Sequence, residues 1–189
     1  MIGAVPDVDL PFRTASGDRV TLRKAVDLDL EPLVDMRSDP VGRRHLGGPV
    51  PAERVRELLT TRSIDWSTAG AGQFVVADAG TDEMLGMVVL ERRPPHRPGH
   101  VVDGGNELEL SYALRRAHWG KGLAREAAEL LLREAAAHLP DQPVVVVTQV
   151  ANSPALALAE RLGFAHAGTF VEFDAEQWIG SAPLSTWAD

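Results

Sequence analysis

The chain contains no cysteine, which excludes disulfide staples and every zinc site built on thiolates. It also lacks an unbroken apolar run near the about 18 residues that cross a bilayer. Its N-terminus does not show the charged-then-apolar order of a secretory signal. No membrane partner is expected, and a cytoplasmic location is the default. Basic residues are in the minority: 19 lysines and arginines face 27 aspartates and glutamates, a net charge of −8. Nucleic acid is therefore not expected as a partner, since its binding needs a positive surface. His96 and His100 are four apart but stand among prolines, so no helix aligns them and no metal site is expected. Tyrosine occurs once, at Tyr112, and no internal repeat divides the chain.

What remains is a globular composition, 44% hydrophobic and 24% charged over 189 residues. That length suits one domain. We expect residues 1–189 to form it, with an N-terminal arm (1–18), a core (19–173) and a C-terminal tail (174–189) of weak periodicity. Val20 to Arg23 alternate as a first strand. A helix capped by Asp27 carries Leu30, Leu33 and Val34, and a second, opened by Pro51, carries Val55, Leu58 and Leu59. Strands follow over 73–77 and 84–91, and the Pro- and Gly-rich stretch 92–105 reads as a mobile loop. Residues 106–114 alternate strictly, putting Glu107, Glu109 and Ser111 on one face and Leu108, Leu110 and Tyr112 on the other. A long amphipathic helix then runs to about His138. Val144 to Val147 read as a strand buried on both faces. Asn152-Ser153-Pro154 open another helix, which Gly163 ends, and 167–173 forms a last clear strand. The order β-α-α-β-β-β-α-β-α-β predicts an α/β mixed sheet, antiparallel at first and parallel where helices intervene.

The chemistry centres on Trp119-Gly120-Lys121-Gly122-Leu123-Ala124-Arg125, between the 106–114 strand and the long helix. A strand, a glycine turn and a helix in that order cradle an anion. Amides at the helix start lack intrahelical partners, and the helix dipole adds positive potential. A Walker P-loop needs four residues between its glycines and a Ser or Thr after the lysine, and neither is present. A dinucleotide fingerprint needs Gly or Ala where Arg125 stands and an acidic residue ending the next strand, which here ends Gln149-Val150-Ala151-Asn152.

Taken together, Val20-Thr21-Leu22-Arg23, Asp39-Pro40, Arg44-His45-Leu46, Glu109 to Leu114, the Trp-Gly-x-Gly-x-Ala turn with Glu126-Ala127, and Asn152 with Leu162-Gly163-Phe164 resemble the GNAT N-acetyltransferase superfamily. They look most like its branch of ribosomal-protein N-terminal acetyltransferases. The resemblance covers about 19–173; Trp119 stands where the family pattern has a polar residue. It implies a three-layer fold, a central sheet of six to seven strands flanked by about four helices. It also implies acetyl-CoA as cosubstrate, with no metal, and an amine acceptor on a protein N-terminus or a small molecule. The pantetheine arm is then expected in a gap between two splayed strands, pairing with main-chain groups of Tyr112, Ala113 and Leu114. The pyrophosphate is expected on the amides of about Lys121 to Arg125, with Gly120 in the same cofactor-binding turn, and Asn152 is expected to bond the pantetheine from the other strand. Trp119 is expected to fix the turn by packing.

Acetyl transfer needs a base for the ammonium and an acid for the departing thiolate. The resemblance points to Glu109 as base, with Glu107 on the same face as substitute. The tyrosine that many family members carry on the second helix is absent, as Leu158-Ala159-Glu160 stand there, and Ala155 replaces a frequent serine. Tyr112, Ser153 or water are the remaining proton donors. His45, with Gly47 and Gly48, is expected to line the acceptor side. The missing hydroxyls also keep open an acyl-CoA-binding sensor or interaction module with weak catalysis. A monomer or a homodimer is compatible with the sequence.

Overall fold

The computed structural model describes residues 8–188. Eight strands form one sheet: β1 (Thr14–Ser16), β2 (Val20–Arg23), β3 (Gln73–Asp78), β4 (Met84–Arg92), β5 (Leu108–Leu114), β6 (Pro143–Gln149), β7 (Ala165–Glu172) and β8 (Ala175–Pro183). Their order across the sheet is β1-β2-β3-β4-β5-β6-β8-β7. The β5–β6 pair is parallel and every other neighbouring pair is antiparallel. Four α-helices are described: α1 (Leu30–Ser38), α2 (Ala52–Arg62), α3 (Leu123–His138) and α4 (Ser153–Arg161).

Helices cover both faces of the sheet. β3 shows why: Phe74 and Val76 share a core cluster with Ala127 and Leu131 of α3, whereas Val75 and Ala77 cluster with Leu33, Val55 and Leu59 from α1 and α2. Both sets of β3 side chains are buried, as a strand between two helical layers requires. Val144, Val145 and Val146 of β6 are likewise buried on both faces, in agreement with the unbroken valine run.

The structure differs from the expected fold in three places. Among the described residues the sheet has eight strands, because segments near both ends contribute. Part of the expected arm forms β1, with Val8 and Leu10 in the core; residues 1–7 of that arm lie outside the described residues. The tail forms β8, which is inserted between β6 and β7. The β7–β8 hairpin turns at Phe173-Asp174, both at positive φ (54° and 55°) with Glu172 opposite Ala175, the geometry of a tight two-residue turn. Phenylalanine is an unusual residue for that conformation, so the turn carries no sequence signal.

The stretch after β4 is the third. Arg93 is fully buried; its Nε donates to Gly99 O (2.8 Å), its Nη1 to Glu109 Oε2 (2.8 Å) and its Nη2 to Pro98 O. Arg97 forms a two-pronged pair with Glu172 (2.9 and 2.8 Å), and Glu107 accepts from Val101 N–H (2.7 Å) and contacts His100 Nδ1 (2.9 Å). The segment expected to be mobile is pinned by buried charge at several points.

Candidate active site

β5 and β6 are in register only at Leu108↔Val144 and Glu109↔Val145. Beyond that, β5 runs on to Leu114 and β6 to Gln149 without pairing with each other. The opening between them is a cleft of about 800 Å³, walled by Leu110 to Leu114 on one side and by Val146, Val147 and Thr148 on the other. The glycine turn and α4 complete the lining.

The ladder fixes which β5 groups face the cleft. Arg115 N–H donates to Leu85 O on β4 (2.8 Å). Alternate residues of an antiparallel strand bond opposite neighbours, so Ala113 directs its main-chain groups to β4, and Tyr112 and Leu114 turn theirs towards β6. Gly86 gives independent support: a Cβ there would stand 2.2 Å from Ala113 O. Of the three residues expected to pair with pantetheine, Ala113 lines the cleft but keeps its main chain on the β4 side. Leu114 O accepts a hydrogen bond from the Trp119 indole Nε1 (2.7 Å). Trp119 thus ties the turn to the end of β5 while remaining half exposed.

Gly120 and Gly122 have φ of +73° and +76°, a conformation that side-chain-bearing residues rarely adopt. Gly122 immediately precedes α3, and the first closed bond runs from Glu126 N–H to Gly122 O (3.1 Å). The amides of Leu123, Ala124 and Arg125 therefore have no intrahelical acceptor. Lys121 is exposed, and its carbonyl accepts from Arg19 Nη1 (2.9 Å). Glu126 holds the turn on β2, accepting from Arg19 N–H (2.6 Å) and Arg19 Nε (2.7 Å).

Across the cleft, Asn152 Nδ2 donates to Thr148 Oγ1 (3.1 Å), and its main-chain carbonyl accepts from Ala155 and Leu156 at the start of α4. Tyr112 reaches the same place from β5, its hydroxyl donating to Ala155 O (3.1 Å). Burial pushes the Tyr112 phenol well above its ordinary pKa, which keeps it protonated. Ser153 is exposed and lies outside the lining. His45 lines the cleft, and its Nδ1 is 2.8 Å from Gln149 Oε1 at the end of β6. An amide oxygen only accepts, so with Gln149 Oε1 facing it Nδ1 is the donor, and in the neutral ring the lone pair is on Nε2.

Glu109 and Glu107 are buried, and neither lines this cleft. Glu109 is the counter-charge of Arg93, with Arg97 Nη1 at 4.0 Å. Burial alone would raise the Glu107 pKa, but the Val101 amide and His100 reverse that, and it lies below the usual carboxylate range.

Arg44 was expected only as part of a family motif, not as a site residue, and Arg161 was not expected at all. Both line the cleft with Arg125, and no carboxylate among the described residues does. Pro154, Ala157, Leu158 and Arg161 line it at i, i+3, i+4 and i+7, a helical stripe that could have been read from the sequence. A second cavity of about 770 Å³ adjoins on the α1 side and shares Gly42, Leu46 and Ser111 to Leu114 with the cleft.

Comparison with known proteins agrees with this geometry. The family model described as an acetyltransferase (GNAT) domain matches residues 19–165. A Bacillus licheniformis protein described as an uncharacterized N-acetyltransferase, p20, is 26% identical over 167 residues, covering 86% of this chain and 88% of its own. A GNAT-family acetyltransferase structure from Bacillus anthracis superposes with a TM-score of 0.73 at 18% identity, covering 91% of this chain and 99% of the other. A spermidine N-acetyltransferase from Vibrio cholerae, solved with CoA and spermine, has a TM-score of 0.67 at 20% identity, with 90% and 99% covered. The chain belongs to the GNAT acetyltransferase family, whose cosubstrate is acetyl-CoA.

Proposed function

We propose that this protein transfers the acetyl group of acetyl-CoA directly to a primary amine bound in the second cavity. The observation that carries this reading is the parting of β5 and β6 after two register pairs, with the glycine turn at one end and the second cavity alongside. The α3 amides, Arg44, Arg125 and Arg161 suit a polyanionic pyrophosphate. Main-chain groups of Tyr112 and Leu114 face the pantetheine from β5, and Asn152 faces it from β6.

His45 is the base in this reading, since Gln149 fixes its tautomer and leaves Nε2 to accept a proton from the ammonium. The neutral amine attacks the thioester carbonyl, the new C–N bond forms, the nitrogen gives its second proton to solvent, and the C–S bond breaks. The Tyr112 hydroxyl supplies the proton that the thiolate takes up, and solvent returns it. Glu109, bound to Arg93, serves structure instead. The acceptor amine belongs to a protein N-terminus, as in the ribosomal-protein branch, or to a small molecule.

Thiol release from acetyl-CoA with a panel of amines tests the proposal. Release that depends on the amine is expected, with one acetylated product per thiol. Tight CoA binding with no release above background would favour the sensor reading, towards which the absence of Ser153 and Glu109 from the cleft points.

A further inference from the structure

The cavity beside the cleft is lined by Asp35, Asp39, Arg37, Arg43, Arg115 and Arg116. Two of these arginines are matched. Arg115 pairs with Asp35 (3.2 Å) and Glu83 (2.9 Å), and Arg116 stands 3.6 Å from Asp39. The other two are not. Arg43 rests on backbone carbonyls, Nε on Gly48 O (3.0 Å) and Nη2 on Leu46 O, with no carboxylate partner among the described residues. The Arg37 guanidinium has no hydrogen-bond or ion-pair partner among the described residues. Burial, then the charge of Arg37, holds the Arg43 pKa below its ordinary value, as expected of cations short of counter-charge. In a chain of net charge −8, placing two unmatched arginines in one cavity is a local reversal.

We infer that the acceptor carries an oxyanion, a carboxylate or a phosphate, on the same molecule as its amine, and that Arg37 and Arg43 bind it. This rests on the acetyl-transfer reading above. A guanidinium fork matches a planar or tetrahedral oxyanion, whereas a polyamine would add positive charge to a cavity already in excess.

The test uses the intact protein saturated with acetyl-CoA and four probes: glutamate, phosphoethanolamine, an acidic tetrapeptide with a free N-terminus, and spermidine. At least one anionic amine should exceed spermidine about tenfold or more in kcat/KM, and the preferred probe identifies the source of the oxyanion. Arg37→Glu should raise KM for that amine at least about tenfold, leave KM for acetyl-CoA unchanged, and improve spermidine. Arg37→Gln should give the first two effects without the third. Preference for spermidine, or an equal effect of Arg37→Glu on all four probes, would overturn the inference while leaving acetyl transfer standing. Calorimetric titration of the probes into the CoA-bound protein separates the two claims. Arg37-dependent binding of an anionic amine without turnover would sink the transfer reading and leave Arg37 and Arg43 as an oxyanion-binding site for a ligand that is not acetylated; no such binding would overturn this one.

Discussion

Removing the Glu109 carboxylate would leave Arg93, which has no exposed surface, with Glu172 at 3.9 Å as a remaining counter-charge. Breaking a buried pair from one side costs about 3–5 kcal/mol, so Glu109→Gln should lower the denaturant midpoint markedly. The folded fraction should keep its turnover within a few-fold. A loss of about 10²–10⁴ in kcat at unchanged stability would instead restore Glu109 as the base. Tyr112→Phe makes the opposite prediction. It removes a single hydrogen bond to Ala155 O, so stability should fall by only about 1 kcal/mol, whereas kcat should fall by about 10² or more with KM for acetyl-CoA little changed. Steady-state kinetics beside urea melts separates these outcomes.

At the level of elements, the glycine turn and the pinned loop behave differently. Gly122→Val forces a β-branched residue into φ of +76° at the start of α3, so CoA affinity should fall at least about tenfold while the far-ultraviolet spectrum is retained. Calorimetry on the variant checks this. The loop responds to acid. Glu172, through its bond to Arg97, and Glu107, through Val101 N–H and His100, both have pKa values below the ordinary carboxylate. Their stabilisation is complete above the unfolded-state pKa and is lost as pH falls through the lower folded values. The urea midpoint should therefore drop below about pH 4, and less steeply in Glu107→Gln. The strands of 106–114 and 143–149 and the turn between them were legible because alternation, a valine run and two glycines act over short range. β8 was not, since Phe173-Asp174 gives no turn signal, and the order of the 93–105 segment depends on Glu109 and Glu172, distant in sequence from Arg93.

Across the whole molecule, charge is distributed against its net sign. The chain is acidic, yet the cleft is lined by arginines without a carboxylate among the described residues, so CoA binding should weaken as ionic strength rises. Titrations at low and high salt would show this; affinity that rises with salt would mean that net repulsion dominates. In the proposed reaction acetyl-CoA donates its acetyl group from the opening between β5 and β6. A crystal structure of the CoA complex tests it most directly. The pyrophosphate is expected within hydrogen-bond distance of the Leu123, Ala124 and Arg125 amides and the thiol between Tyr112 and His45. CoA bound elsewhere, with the β5–β6 cleft unchanged and its main-chain groups uncontacted, would contradict it.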